Sequence, residues 1–248
     1  MRVLNGALLV FVLVITAAAA QTPDTLLSEK RLTVHTLLRE DVFAGFISDN
    51  ATRLARAEQN ITLLLKERPD QRANLIAWRS GAALYRAVTA HEAGDVSRFR
   101  EYYQTARDGF AEAATLSSGN DGVAAITGGS FAVFADRLPA EDREAAWEAA
   151  WKNYSILWKQ QQDGIEGMPL HFKGEVLAGL AQSAQRTGRT SEAAEFLDRM
   201  LTLLANTSYE PLAKKWKADP ASAATTNLTC QNCHAPGRLS AKLAALTR

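Results

Sequence analysis

The stretch LHFKGEVLAGLAQSAQRTGRTSEAAEFLDRMLTLLA, residues 170–205, decides the fold. Phe172, Val176, Leu180 and Ala184 recur every four residues and run as one apolar stripe along a helix over Leu170–Arg186. Leu197, Leu201 and Leu204 give a partner stripe over Ser191–Ala205. Gly188 supplies the turn between them, with Thr190 as candidate N-cap. Two helices joined so closely must fold back and bury one stripe against the other.

The plan extends upstream. Leu75–Glu92 ends at Gly94, and Asp95 is placed to cap a helix from Val96 to Leu116. After the loop 117–122, Val123–Arg137 is followed by a helix whose opening turn holds Pro139, Glu141 and Asp142 and which reaches Gln162. Residues 163–169 break the pattern again. Two further helices precede these pairs, over Thr25–Phe46 and Asp49–Glu67. In the second, Leu54, Ala57, Ile61, Leu64 and Leu65 share a face, and Arg68-Pro69-Asp70 stops it. Strand-like Val/Ile alternation is absent from the chain after residue 20, so the reading is all-α. Gly81, Gly128 and Gly179 fall at similar places in the first helix of three pairs, 47 and 51 residues apart, where a small residue lets helices approach closely. Trp147, Trp151 and Trp158 have the spacing of core packing.

The tail is different. A helix over Tyr209–Lys217 is broken by Asp219-Pro220, and the small, polar run from Ala221 to Thr229 reads as an exposed connector. Then comes Cys230-Gln231-Asn232-Cys233-His234, followed by Pro236-Gly237 and a short amphipathic helix over Leu239–Leu246. C-x-x-C-H is the attachment signature of a c-type haem: two thiols form thioethers to the two vinyl groups, and the adjacent imidazole lies under the iron. These are the chain's two cysteines. Three other readings stay open here: a reversible thioredoxin-type disulfide, an inert surface disulfide, and a zinc clip on Cys230, Cys233 and His234.

The compartment bears on that choice. Arg2, the apolar run Ala7–Ile15 and Ala17–Ala20 form a secretory signal over residues 1–20, too short for a comfortable membrane span and followed by no stop-transfer pattern. A periplasmic or secreted protein without a stable span after cleavage is expected. Of 28 basic residues Arg2 leaves with the signal, so 27 basic face 27 acidic residues and a nucleic-acid partner is excluded on charge. No G-x-S-x-G, H-E-x-x-H or phosphate-binding glycine loop occurs, so no catalytic residue is assigned.

The whole resembles an exported bacterial protein with a tetratricopeptide-like helical domain and a single C-terminal c-type haem motif. The repeat resemblance rests on Gly179, Ala184, Gly188, Glu192-Ala193-Ala194 and Leu197, with Trp78 and Tyr85 echoing its aromatic positions; the spacing exceeds the family's roughly 34 residues. The implied division is a signal at 1–20, a helical domain at 21–219 and a haem-binding segment at 220–248. The resemblance implies one haem c on Cys230 and Cys233, His234 as proximal iron ligand, and an electron carrier that docks a redox partner protein through its repeats. Arg238 is a candidate propionate contact. Fourteen residues follow His234, none of them Met, His or Cys, so the distal ligand of a six-coordinate iron must come from the helical domain or another molecule, while an open position would permit ligand binding or peroxidase-like chemistry. The candidates stand in the order His171, Met168, His91, His35. Met200, among Phe196, Leu197, Leu201 and Leu204, reads as core.

Overall fold

A computed structural model of the chain describes Leu27, Lys30 and residues 32–117 and 121–228. The signal segment, Cys230, Cys233, His234, Arg238 and the helix expected over Leu239–Leu246 lie outside the described residues.

Nine α-helices, numbered in chain order, make up the described part, with short 3-10 turns between some of them and no strand among the described residues. They are α1 (Val34–Ser48), α2 (Ala51–Glu67), α3 (Arg72–Glu92), α4 (Val96–Ser117), α5 (Asp121–Phe134), α6 (Ala140–Gln161), α7 (Leu170–Arg186), α8 (Thr190–Leu203) and α9 (Glu210–Ala218). Each odd-numbered helix from α1 to α7 folds back on the even one after it, and α1, α3, α5 and α7 pack in succession. The expected all-α fold is therefore present among the described residues.

The turns follow from local chemistry. Gly94 takes φ +75° and Gly188 φ +73°, a left-handed conformation that costs glycine little. In both, the amide three residues beyond the helix's last residue returns to the carbonyl five residues before it: Asp95 N–H to Ala90 O and Arg189 N–H to Ala184 O, each at 2.8 Å. This double-looped stop satisfies carbonyls the helix leaves orphaned. Asp95 then caps α4, its carboxylate accepting from the Arg98 amide at 3.0 Å.

Three sequence expectations need correction. The first helix begins at Val34, not Thr25, because the Thr33 hydroxyl accepts from the Thr36 amide and caps it there. Thr190 is the first residue of α8 rather than its cap; Arg189 holds the cap position with φ −82° and ψ 68°, and its guanidinium pairs with Glu148 of α6 at 2.7 Å. Finally, residues 221–228 are not an exposed connector. Pro220–Thr225 forms a 3-10 turn, and Ser222, Ala223 and Leu228 are buried. Small side chains that look like linker composition are here what lets the backbone lie flat against α7 and α9.

That docking has a specific anchor. Arg186, near the end of α7, donates to the carbonyls of Ala223 and Thr226, pairs with Asp136 at 2.9 Å, and lies over the rings of Trp147 and Trp216. The Trp216 indole donates to the Thr226 hydroxyl at 2.7 Å. One turn back along α7, the Gln182 side-chain carbonyl accepts from the Leu228 amide at 2.7 Å. The chain leaving Thr226 therefore runs antiparallel to α7, toward its N-terminal half.

Glycine serves the packing as expected. A Cβ on Gly179 would sit 2.3 Å from the Tyr154 ring of α6, and one on Gly81 2.8 Å from the Ser130 hydroxyl of α5. Neither position admits a methyl group without displacing its neighbour. At the other end of the array, α1 and α2 are tied by Asp41, which is buried and accepts from Arg53 Nε at 2.6 Å and from Arg56 Nε at 2.5 Å and Nη2 at 2.6 Å.

Candidate functional site

The first helices of the hairpins carry apolar side chains toward one another, and where α1, α3, α5 and α7 meet they leave a gap. The cavity holds about 230 Å³, or about 880 Å³ with its open mouth. The enclosed volume lies just below the roughly 300–1,000 Å³ of small-molecule and cofactor sites, and the rest is open to solvent. Phe43 and Phe46 come from α1, Trp78 from α3, Ala125, Ile126 and Gly129 from α5, and Phe172 and Val176 from α7.

Four titratable groups stand in this apolar wall: Asp121, which accepts from the Gln161 side chain, and His35, His171 and Glu175. His35, the second residue of α1, tilts against Trp78 with ring centroids 5.3 Å apart. His171, the second residue of α7, is half-exposed, and its Nε2 lies 3.4 Å from Glu175 Oε2 one turn on. Glu175 faces α5, where Gly129 makes room for it: a Cβ there would stand 3.0 Å from Glu175 Oε1. Burial pushes the Glu175 carboxyl up to about 7, because the charged form loses hydration. His35 is held down to about 4, first by burial and then by the positive charges of Arg39 and His171. At neutral pH His35 is thus an uncharged imidazole, the form that ligates metals. The indole N–H of Trp78, a residue 2% exposed, finds no acceptor among the described residues. A buried donor left so is uncommon and marks a place where a ligand or another segment can supply an acceptor.

Among the sequence-derived candidates, this brings His171 and His35 to one cavity. His91 is not there: it packs on Phe99 at 5.6 Å near the far end of α3, about 20 Å along the helix from Trp78. Met168 follows the 3-10 turn Gln162–Gly167, half-buried and outside the cavity wall. Met200 is fully buried, as its core reading required. His35 shares a helical face with Leu38 and Val42; those two are buried, while the histidine, one turn earlier, lines the cavity. Sequence reasoning missed Glu175 and Trp78 as wall residues. The four-residue step from His171 to Glu175 was the one available signal for the first, and nothing local marked the second.

Among the described residues no group of three or more His, Cys, Asp or Glu is arranged to hold a metal ion. No described helix is long and apolar enough to cross a membrane. The wall offers aromatic faces, a neutral histidine, a second, half-exposed histidine and an indole N–H without an acceptor among the described residues. Compared with protein-family models, curated proteins and solved structures, the chain matches none.

Proposed function

We propose that the chain is an exported monohaem c-type cytochrome that passes single electrons. The observation that carries this is the run Cys230-Gln231-Asn232-Cys233-His234, which holds both cysteines of the chain beside a histidine, behind an N-terminal stretch with the features of a secretory signal. Haem c would be attached through Cys230 and Cys233, with His234 as proximal ligand and Arg238 beside a propionate. His171 is the leading distal ligand, ahead of Met168, because it is half-exposed in the wall of an apolar cavity that Met168 does not line. Ligation by two histidines gives a lower potential than histidine with methionine. The tetratricopeptide-like hairpins would offer outer helical faces to a redox partner protein.

The test is a denaturing gel stained for haem, on protein made in a host with cytochrome c maturation, beside a Cys230→Ala/Cys233→Ala control. A stain that survives denaturation and vanishes in the control is expected. A folded, processed chain without haem would overturn the reading. Thiol titration and zinc analysis would then separate a disulfide from a metal clip in an interaction scaffold.

A further inference from the structure

One wall residue carries a buried donor that the fold leaves unused. Trp78 is 2% exposed, and its indole N–H has no acceptor among the described residues. Its ring meets Phe43 edge-on at 6.0 Å and tilts against His35 at 5.3 Å. All three line the cavity between α1, α3, α5 and α7. A buried donor costs its lost hydration until something accepts from it. The space beside Trp78 sets the size of what can do so. An apolar cavity of about 150 Å³ holds one benzene ring. This one encloses about 230 Å³. That is room for a single ring with a small substituent and too little for a porphyrin.

The wall also sets the chemistry. Phe43, Phe46 and Phe172 offer ring faces and edges, which aromatic partners prefer. Burial already carries Glu175 toward its protonated form, so the cavity solvates charge poorly. Beside the indole donor stands the uncharged imidazole of His35. A neutral imidazole has one nitrogen that accepts. A donor and an acceptor on neighbouring rings match a hydroxyl, which accepts and donates through one oxygen. We propose that this cavity binds a small uncharged phenol, its ring among Phe43, Phe46 and Phe172 and its hydroxyl on the indole N–H of Trp78 and the imidazole of His35. The site uses none of the haem-attachment residues and does not rest on the cytochrome reading.

The experiment is calorimetric titration of phenol into the full-length chain and into its Cys230→Ala/Cys233→Ala form, which leaves no haem iron for phenol to bind. Both should take up one phenol with Kd at or below about 1 mM, a modest efficiency for so small a ligand. Benzoate and benzylammonium, the same ring with a charge, should bind at least about tenfold more weakly. Trp78→Phe keeps a ring and removes the donor. It should weaken phenol about fivefold, the worth of one hydrogen bond, and leave toluene unchanged. Ala125→Phe, which fills the cavity, should abolish binding of both while circular dichroism shows the helices intact. No phenol bound by the Cys230→Ala/Cys233→Ala chain would overturn the proposal. Phenol binding that survives Ala125→Phe would do so too, as would a charged ring bound as tightly as phenol. Equal losses of phenol and toluene in Trp78→Phe would overturn the seat of the hydroxyl. A chain that takes up phenol but never haem would sink the cytochrome reading and leave this one standing.

Discussion

Two carboxylates in the same helical body shift in opposite directions. Burial pushes the Asp41 carboxyl up, but hydrogen bonds from Arg56 and Arg53 outweigh it and hold the group below its ordinary value. Glu175 has the imidazole of His171 at 3.4 Å, and burial carries its carboxyl up to about 7. The first site spends its charges on tying α1 to α2. The second keeps a desolvated acid beside two histidines in an open cavity, an arrangement that does little for folding and belongs more often to a functional site. Position in the array does not decide the difference; the partner does.

The contrast can be broken by mutation, most simply in the Cys230→Ala/Cys233→Ala background. Glu175→Gln should stabilise the chain at pH 8. The folded carboxyl at about 7, against the ordinary 4.5, means the folded state binds the proton more tightly. Its contribution is full below pH 4.5 and is lost as pH rises through 7, which leaves about 3 kcal/mol for the glutamine to recover at pH 8 and almost nothing at pH 4. Urea titrations at the two pH values measure this, and an equal effect at both would mean Glu175 is not desolvated. Asp41→Asn should do the reverse and cost about 2 kcal/mol at pH 7, less than a fully buried pair because Arg56 is 60% exposed and can turn to water. Since the Asp41 carboxyl is lowered, the loss should be full above pH 4 and should close as pH falls through the folded value; thermal melts from pH 7 to pH 2 test the sign. Gln182→Ala should cost about 1 kcal/mol, one hydrogen bond to the Leu228 amide. Its clearer mark is faster exchange at Leu228 with α9 unchanged. If α9 loosens as well, the tail and α9 form one unit and Gln182 is not a separate anchor.

Much of the fold was legible because its causes are local. Gly94, Asp95 and Gly188 fix turns within a few residues of themselves, and the four-residue stripes of α7 and α8 announce which faces meet. The docking of residues 221–228 was not legible: alanine and serine there carry no periodic signal, and the guanidinium of Arg186 that fastens them comes from another helix. The site was half legible. His171 stood out by opening a helix after a Gly-Met-Pro turn. His35 reaches the same cavity only because α1 packs on α3, α3 on α5 and α5 on α7, and no window of sequence contains that. Glu175 looked like one more polar residue on a solvated helix face until α5, with Gly129 opposite, covered it.

The hydrogen bond between Gln182 and Leu228 sets a local equilibrium at the end of the described residues. It can open while Arg186 still holds the carbonyl of Ala223, so residues 226–228 can lift from α7 without loosening a helix. A molecule that competes for the Gln182 side-chain carbonyl would gain control of that release without unfolding the array.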